Sequence, residues 1–432
     1  MLLAAGTAST ADSPAVKLLH DIAEKVRVNK DGLPNYTCVQ NISRVQFAPP
    51  PNQKQGLSCD VVLADRQEHG RTGFKVMQDR VRLDVAVVDN HEMFAWAGAK
   101  QFETAEIDTL IGGTSGSGDF GSFLIAAFAR GVDRYTYKGE EDSLAKFTYA
   151  IPVDKSGYRM RIGKSYETVG YRGTFYADPK EADIRRLMIE ATDFPERAGV
   201  CRVLDSMDYR RVKMGDHDFL LPEKTSMEVI YRSGQESLNQ TVYTGCKQYV
   251  GTSTIRFDDV EETKITEDEK KEAQIPLAAK TKVSLVLEGN VDLYRASAGD
   301  AITAVVAKDI LRDKKVVVKA NSKVHGRLVR VEQDFLPPFP HWVIGIRFET
   351  IERAGQEQPI RLEATDDGLR SRQPQTYSRM SGQLSALPRH EKNSAMGVFI
   401  FATAENPKLD RTFHSEWQVS SAPPAVRTTP LP

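Results

Sequence analysis

The chain has 432 residues, 40% of them hydrophobic and 27% charged, with 58 Lys and Arg against 59 Asp and Glu for a formal net charge of −1. That length exceeds what one hydrophobic core usually organises, and the composition is that of a folded globular protein, not a disordered one. No basic stripe interleaves with aromatic residues, which argues against a nucleic-acid partner, and no apolar run of about 20 residues is present to cross a membrane as a helix.

Residues 1–11 are small and apolar, and Ser9-Thr10-Ala11 has the small-x-small form of a signal-peptidase site, so the segment reads as the remnant of a secretory signal. Ser13-Pro14 then predicts a helix, with Ser as N-cap and Pro at the first helical position. Ala15, Leu18, Leu19, Ile22 and Val26 fall at helical spacing on one stripe, and Gly32-Leu33-Pro34 stops it.

From Asn35 the apolar period becomes two. Val81, Leu83, Val85 and Val87 share a face, as do Phe147, Tyr149 and Ile151, then Tyr158, Met160 and Ile162, then Val169, Tyr171 and Phe175. Met227, Val229 and Tyr231 follow, then Val242, Thr244 and Cys246. Such alternation gives each strand one wet and one buried face, the mark of an antiparallel sheet. One helix, Phe120 to Ala129, interrupts the strands. The expectation for residues 12–257 is a large, curved antiparallel sheet, an incomplete barrel with an N-terminal helix and an inserted helix, enclosing either a packed core or a cavity.

Residues 258–274 are polar and mostly acidic, without apolar periodicity, and read as a solvated linker. Residues 275–419 return to short, evenly spaced strands without a helix, which predicts a small β-barrel with a C-terminal hairpin. Residues 420–432 form a Pro-rich tail of disordered type. The fold class is therefore mainly β, in two domains.

The four cysteines, Cys38, Cys59, Cys201 and Cys246, are even in number, widely spaced and without a C-x-x-C pair. They are candidates for disulfides in an oxidising compartment, the alternative being four buried thiols. Cys38 lies in the first predicted strand and Cys246 in the last of the same domain. A bridge between them would close a very long loop, worth about 4–5 kcal/mol in the chain-entropy description.

Gly112, Gly113, Gly116, Gly118 and Gly121 lie in a glycine-rich stretch ahead of the inserted helix, and the last three make a formal G-x-G-x-x-G. A dinucleotide site needs a parallel strand feeding the loop, and the domain here is antiparallel, so the stretch reads as a loop admitting the helix and a candidate lid. The eight histidines are scattered, with no H-E-x-x-H and no G-x-S-x-G. No catalytic constellation, cofactor or metal is therefore expected. Phe94 and Trp96 share a face after the turn Asp89-Asn90; with Tyr149 and Tyr171 they are the candidate lining of a cavity.

In architecture the first domain resembles the outer-membrane lipoprotein carrier and periplasmic sigma-regulator sensor group. Leu33-Pro34-Asn35-Tyr36-Thr37-Cys38-Val39-Gln40, Glu92-Met93-Phe94-Ala95-Trp96 and Tyr243-Thr244-Gly245-Cys246-Lys247-Gln248-Tyr249 are similar to exported bacterial proteins of unassigned function. The second domain, from Ile275-Pro276-Leu277 through Ala298-Gly299-Asp300 to Lys319-Ala320-Asn321-Ser322-Lys323-Val324-His325-Gly326, resembles the small β-barrel of conjugative-channel scaffold proteins. The carrier resemblance implies an acyl chain in an apolar cavity, and the scaffold resemblance implies a ring-forming or docking role. Neither group is enzymatic, so no catalytic residue is carried over. The expectation is a periplasmic or envelope protein that binds a lipid or lipoprotein in its first domain and docks to other envelope proteins through its second. The alternative is an assembly component with no ligand.

Overall fold

The computed structural model describes residues 13–50, 57–89, 91–99, 102, 107–113, 115–116, 122–128, 134–162, 165–248, 276–336, 340–365, 396–402 and 408–420. The expected signal remnant, the acidic linker, the Pro-rich stretch after Ser420, and Gly118 and Gly121 lie outside the described residues. The chain divides into two compact units. The first takes Met1–Lys75, Val85–Met93 and Gly116–Val250, and the second takes Val76–Asp84, Phe94–Ser115 and Gly251–Pro432.

Up to Gln248 the elements begin with α1 (Pro14–Gly32), β1 (Tyr36–Ala48), α2 (Cys59–His69), β2 (Phe74–Val88), β3 (His91–Trp96), α3 (Ile107–Ile111) and α4 (Ser122–Phe128). The strands β4 (Thr136–Glu141), β5 (Leu144–Ile151), β6 (Arg159–Ile162), β7 (Ser165–Thr168) and β8 (Gly170–Ala177) follow. Then come β9 (Ile184–Thr192), β10 (Val200–Met214), β11 (His217–Tyr231) and β12 (Glu236–Gln248). Helix α1 starts where the cap signal puts it: the Ser13 hydroxyl accepts from the Val16 amide at 3.3 Å, with Pro14 opening the first turn. Its buried stripe is Leu19, Ile22 and Val26, each worth roughly 1.5–3 kcal/mol on burial.

The large sheet of the first unit runs β4–β5–β8–β9–β10–β11–β12–β1, antiparallel at every step, and is not closed into a barrel. One face carries the main core, in which Leu19, Ile22 and Val26 of α1 and Leu124 and Ala127 of α4 meet Phe147, Tyr149, Tyr171, Phe175, Leu187 and Met207 from the strands. The two helices thus cover one side of an open, antiparallel sheet. Hairpin β6–β7 is a separate two-stranded ribbon.

Two local readings need correction. On β12 the sequence pointed to Val242, Thr244 and Cys246 as the inner set, but Val242 is 40% exposed and the buried set is Asn239, Thr241 and Tyr243. The apolar residue was the misleading one, because this strand turns two polar side chains inward beside a tyrosine. Helix α2 was not anticipated at all. Val62 is its only buried residue, so it has no apolar stripe to recognise.

Two disulfides staple the first unit. Cys38 bonds Cys246 across neighbouring strands β1 and β12 with Cα atoms 4.1 Å apart, and Cys59, the first residue of α2, bonds Cys201 on β10 at 5.1 Å.

The second unit contains β13 (Lys282–Glu288), β14 (Val291–Asp292), β15 (Ala301–Val306), β16 (Ile310–Arg312), β17 (Lys315–Val318) and β18 (Lys323–Asp334). It continues with β19 (His341–Arg353), β20 (Gln356–Pro359), β21 (Leu362–Ala364), β22 (Gly397–Ala402), β23 (Lys408–Leu409) and β24 (His414–Val419). Its strands pair in two runs, β13–β15–β18–β19–β20 with β22 also on β19, and β21–β24–β13, which share β13. Trp342, Phe348, Phe399 and Trp417 are buried in the core of this unit.

Part of β2 belongs here too. Met77, Gln78 and Asp79 pair with Asp334, Gln333 and Glu332 of β18. The turn before β15 is threaded between β2 and β18: the Arg82 amide donates to Ala298 (2.7 Å), the Ala298 amide to Arg80 (2.8 Å), and the Gly299 amide to Leu328 (2.7 Å). Arg82 and Asp300 close the arrangement with an ion pair at 2.5 Å.

Candidate functional site

The aromatic face of the first unit is built from strand register. Phe147 and Phe175 are direct partners on β5 and β8, stacked with ring centroids 5.0 Å apart. Two residues along, Tyr149 stands opposite Gly173, where a Cβ would overlap its ring. Glycine is therefore required there for close approach, not for backbone freedom. Tyr135 meets Tyr149 edge-on at 5.3 Å and Phe175 at 5.5 Å, and Phe128 of α4 stacks on Tyr135 at 5.4 Å. The Tyr135 hydroxyl donates to the Ala127 carbonyl, which ties α4 down onto the rings.

One group in this cluster is left over. The Tyr149 hydroxyl is buried and has no hydrogen-bond partner among the described residues. Burial, and after it the neighbouring Tyr171, Tyr135 and Tyr209 phenols, push its pKa well above the usual tyrosine range. It stays an O–H donor with nowhere to direct its proton, at a cost of about 1–3 kcal/mol.

Beside α1 lies a polar groove of about 850 Å³ lined by Asp21, Glu24, Lys25, Lys180, Glu181 and Arg185, among others. Asp183 is buried at its base, accepting from Arg211 Nε at 2.8 Å and Nη2 at 2.6 Å and facing Lys25 Nζ at 3.4 Å. Burial pushes the Asp183 carboxyl up, but the Arg211 hydrogen bond and charge, helped by Lys25, outweigh it and hold the group below the usual carboxylate range. A carboxylate depressed in the folded state stabilises the fold above its unfolded pKa of about 3.9, and that stability is lost as pH falls through the lower folded value. Acid titration followed by circular dichroism is expected to show Asp183→Asn less stable than wild type at neutral pH, by about 1–3 kcal/mol. The gap should narrow below about pH 4. A gap that does not change with pH would remove Asp183 from the acid response.

A second depression, about 520 Å³, includes Thr136, Thr148, Arg172, Thr174, Glu190 and Arg202. Arg172 and Arg202 both approach Glu190, at 2.7 and 3.2 Å.

The four expected cavity residues are all buried, but they do not form one set. Tyr149 and Tyr171 belong to the first unit, with ring centroids 6.2 Å apart, whereas Phe94 and Trp96 belong to the second. Trp96 packs there beside Gly299. The rings that do surround Tyr149, namely Tyr135, Phe128 and Phe175, were not singled out for a site. Phe175 alternates in phase with Tyr171, a signal available in the sequence, but Phe128 and Tyr135 reach the cluster only through the placement of α4 and the chain after it. Of the lid candidates, Gly112 and Gly113 have φ of 60° and 71°, the left-handed region that favours glycine, and Gly116 is exposed.

Among the described residues no group of three or more His, Cys, Asp or Glu is arranged to hold a metal ion, and no helix is long and apolar enough to cross a membrane. No protein-family model matches the sequence, and no curated protein matches it. Among solved structures, a DUF1329 family protein from Desulfovibrio piger ATCC 29098 is similar over 56% of this chain and 96% of its own, at 15% identity and a TM-score of 0.24. A LolA superfamily protein from Nitrosomonas europaea is similar over 54% of this chain and 94% of its own, at 9% identity and a TM-score of 0.21.

Proposed function

We propose that this is an exported, non-catalytic binding protein. In this reading the first unit holds an acyl or lipid ligand, or the lipid of a lipidated partner, against the aromatic face beneath α4, and the second unit docks it to other envelope components. The observation that carries the reading is the Tyr149 hydroxyl, a buried donor in an aromatic cluster without an acceptor among the described residues. A ligand with an oxygen at one end of an alkyl chain satisfies that donor, and about ten buried methylenes suffice for micromolar binding. Helix α4 is the moving part, since it is seven residues long and rests on Leu124, Ala127 and Phe128. Export is supported by the two disulfides, which persist in oxidising compartments.

A second reading, an assembly component with a filled core, is favoured by the ring contacts of 5.0–5.5 Å beneath α4. The two separate on one experiment. The full chain is purified from an oxidising compartment, its solvent extract is read by mass spectrometry, and the stripped protein is titrated with a fluorescent fatty acid. The binding reading expects co-extracted lipid and saturable, micromolar binding. Tyr149→Phe should weaken the probe about fivefold to tenfold while raising the melting temperature of the stripped protein. No extracted lipid and no saturable binding would leave the assembly reading standing alone.

A further inference from the structure

Hairpin β16–β17 projects two large apolar side chains where the fold has no need of them. Leu311 and Val316 are register partners, so they stand side by side on one face, and they are 60% and 44% exposed. Leu311 is the most exposed large hydrophobic side chain among the described residues. The hairpin is nonetheless firmly seated, because Ile310 and Val318 at its base are buried in the core of the second unit. The tip is a tight turn with Asp313 and Lys314 at φ of 50° and 66°.

The charge around that apolar pair is one-sided. Residues 308–319 carry five basic and two acidic side chains, a local net charge of +3 in a chain whose total is −1. Lys308, Lys314, Lys315 and Lys319 are exposed, while one of the two carboxylates, Asp309, is already accepting from the Ala320 amide at 2.7 Å. An apolar tip flanked by lysines suits a surface that is anionic outside and apolar a few ångströms below. That description fits an acidic phospholipid bilayer: the side-chain pair enters the headgroup boundary and the lysines remain with the phosphates.

We propose that the β16–β17 hairpin is a membrane-surface contact for anionic lipid, independent of any ligand under α4. The test is co-sedimentation of the full chain with phosphatidylcholine vesicles, with and without phosphatidylglycerol. The expected result is binding that needs phosphatidylglycerol and weakens as salt rises. Two double variants, Leu311→Ser with Val316→Ser and Lys314→Glu with Lys315→Glu, should each bind about tenfold more weakly. Both change only exposed groups, so circular dichroism and melting should match wild type. A Leu311→Trp variant reports directly: its emission should shift to the blue on phosphatidylglycerol vesicles. No binding to acidic vesicles, binding unaltered in both double variants, or a tryptophan that stays in water while the protein sediments would each overturn the assignment.

Discussion

Gly299→Ala is expected to destabilise the second unit by about 3–5 kcal/mol or to prevent its folding, whereas Gly289→Ala should cost only about 1–2 kcal/mol. The two glycines share an unusual backbone, with φ of 106° and 104°, so the conformational penalty of adding a Cβ is the same at both. Their surroundings differ. A Cβ at Gly289 meets nothing within 4 Å, but at Gly299 it would overlap the Arg82 carbonyl oxygen and press on Trp96. That oxygen belongs to backbone and cannot swing aside as a side chain tip can. Moving it would also disturb the Arg82–Ala298 and Gly299–Leu328 hydrogen bonds and the Arg82–Asp300 ion pair. Denaturant melts of the two single variants measure the difference. Equal losses would mean that only the backbone angle matters at Gly299.

Reduction of the disulfides is the other large effect. Cys38–Cys246 joins residues 208 apart in sequence and Cys59–Cys201 residues 142 apart. Each closure is worth about 5 kcal/mol in the chain-entropy description. The shorter loop lies wholly inside the longer, so the two contributions overlap and do not sum. Even one such loss is a large part of the 5–15 kcal/mol typical of a whole domain, so the reduced first unit should melt far lower or fail to fold. The second unit has no cysteine and should be unmoved. Calorimetry with and without reductant, alongside Cys38→Ser and Cys59→Ser variants, separates the bridges. A first-unit transition that survives full reduction unshifted would show that the sheet holds without its staples.

How much of this was legible in the residues depends on what each pattern encodes. Helix α1 was readable because its cap, first-turn proline and apolar stripe all agree. The alternation of Phe147, Tyr149 and Ile151 gave the inward face of β5, since a period of two assigns faces directly. On β12 the same rule failed, because Asn239 and Thr241 take the inward positions and leave Val242 outside. Periodicity also says nothing about which sheet a strand joins. Val81 and Leu83 alternate as cleanly as any residues, yet that stretch of β2 belongs to the second unit, and Phe94 and Trp96 go with it. The aromatic cluster was half visible: Tyr149 and Tyr171 could be named from their strands. The unpaired hydroxyl, by contrast, depends on Gly173 allowing the ring to lie flat and on which neighbours lack an acceptor.

The borrowing of Val76–Asp84 by the second unit has a consequence for inheritance and for synthesis. A cassette running from the acidic stretch to the C-terminus would leave behind the strand that faces Glu332, Gln333 and Asp334, the Arg80 carbonyl that accepts from the Ala298 amide, and the Arg80 guanidinium that donates to the Leu293 and Ala296 carbonyls. One crossover therefore cannot transplant the second unit intact into another gene, because Val76–Asp84 would stay behind. In time, too, the debt is long: a ribosome adding about 5–20 residues per second completes β18 only some tens of seconds after β2 has emerged. Through that interval Met77, Gln78 and Asp79 wait for their partners on β18.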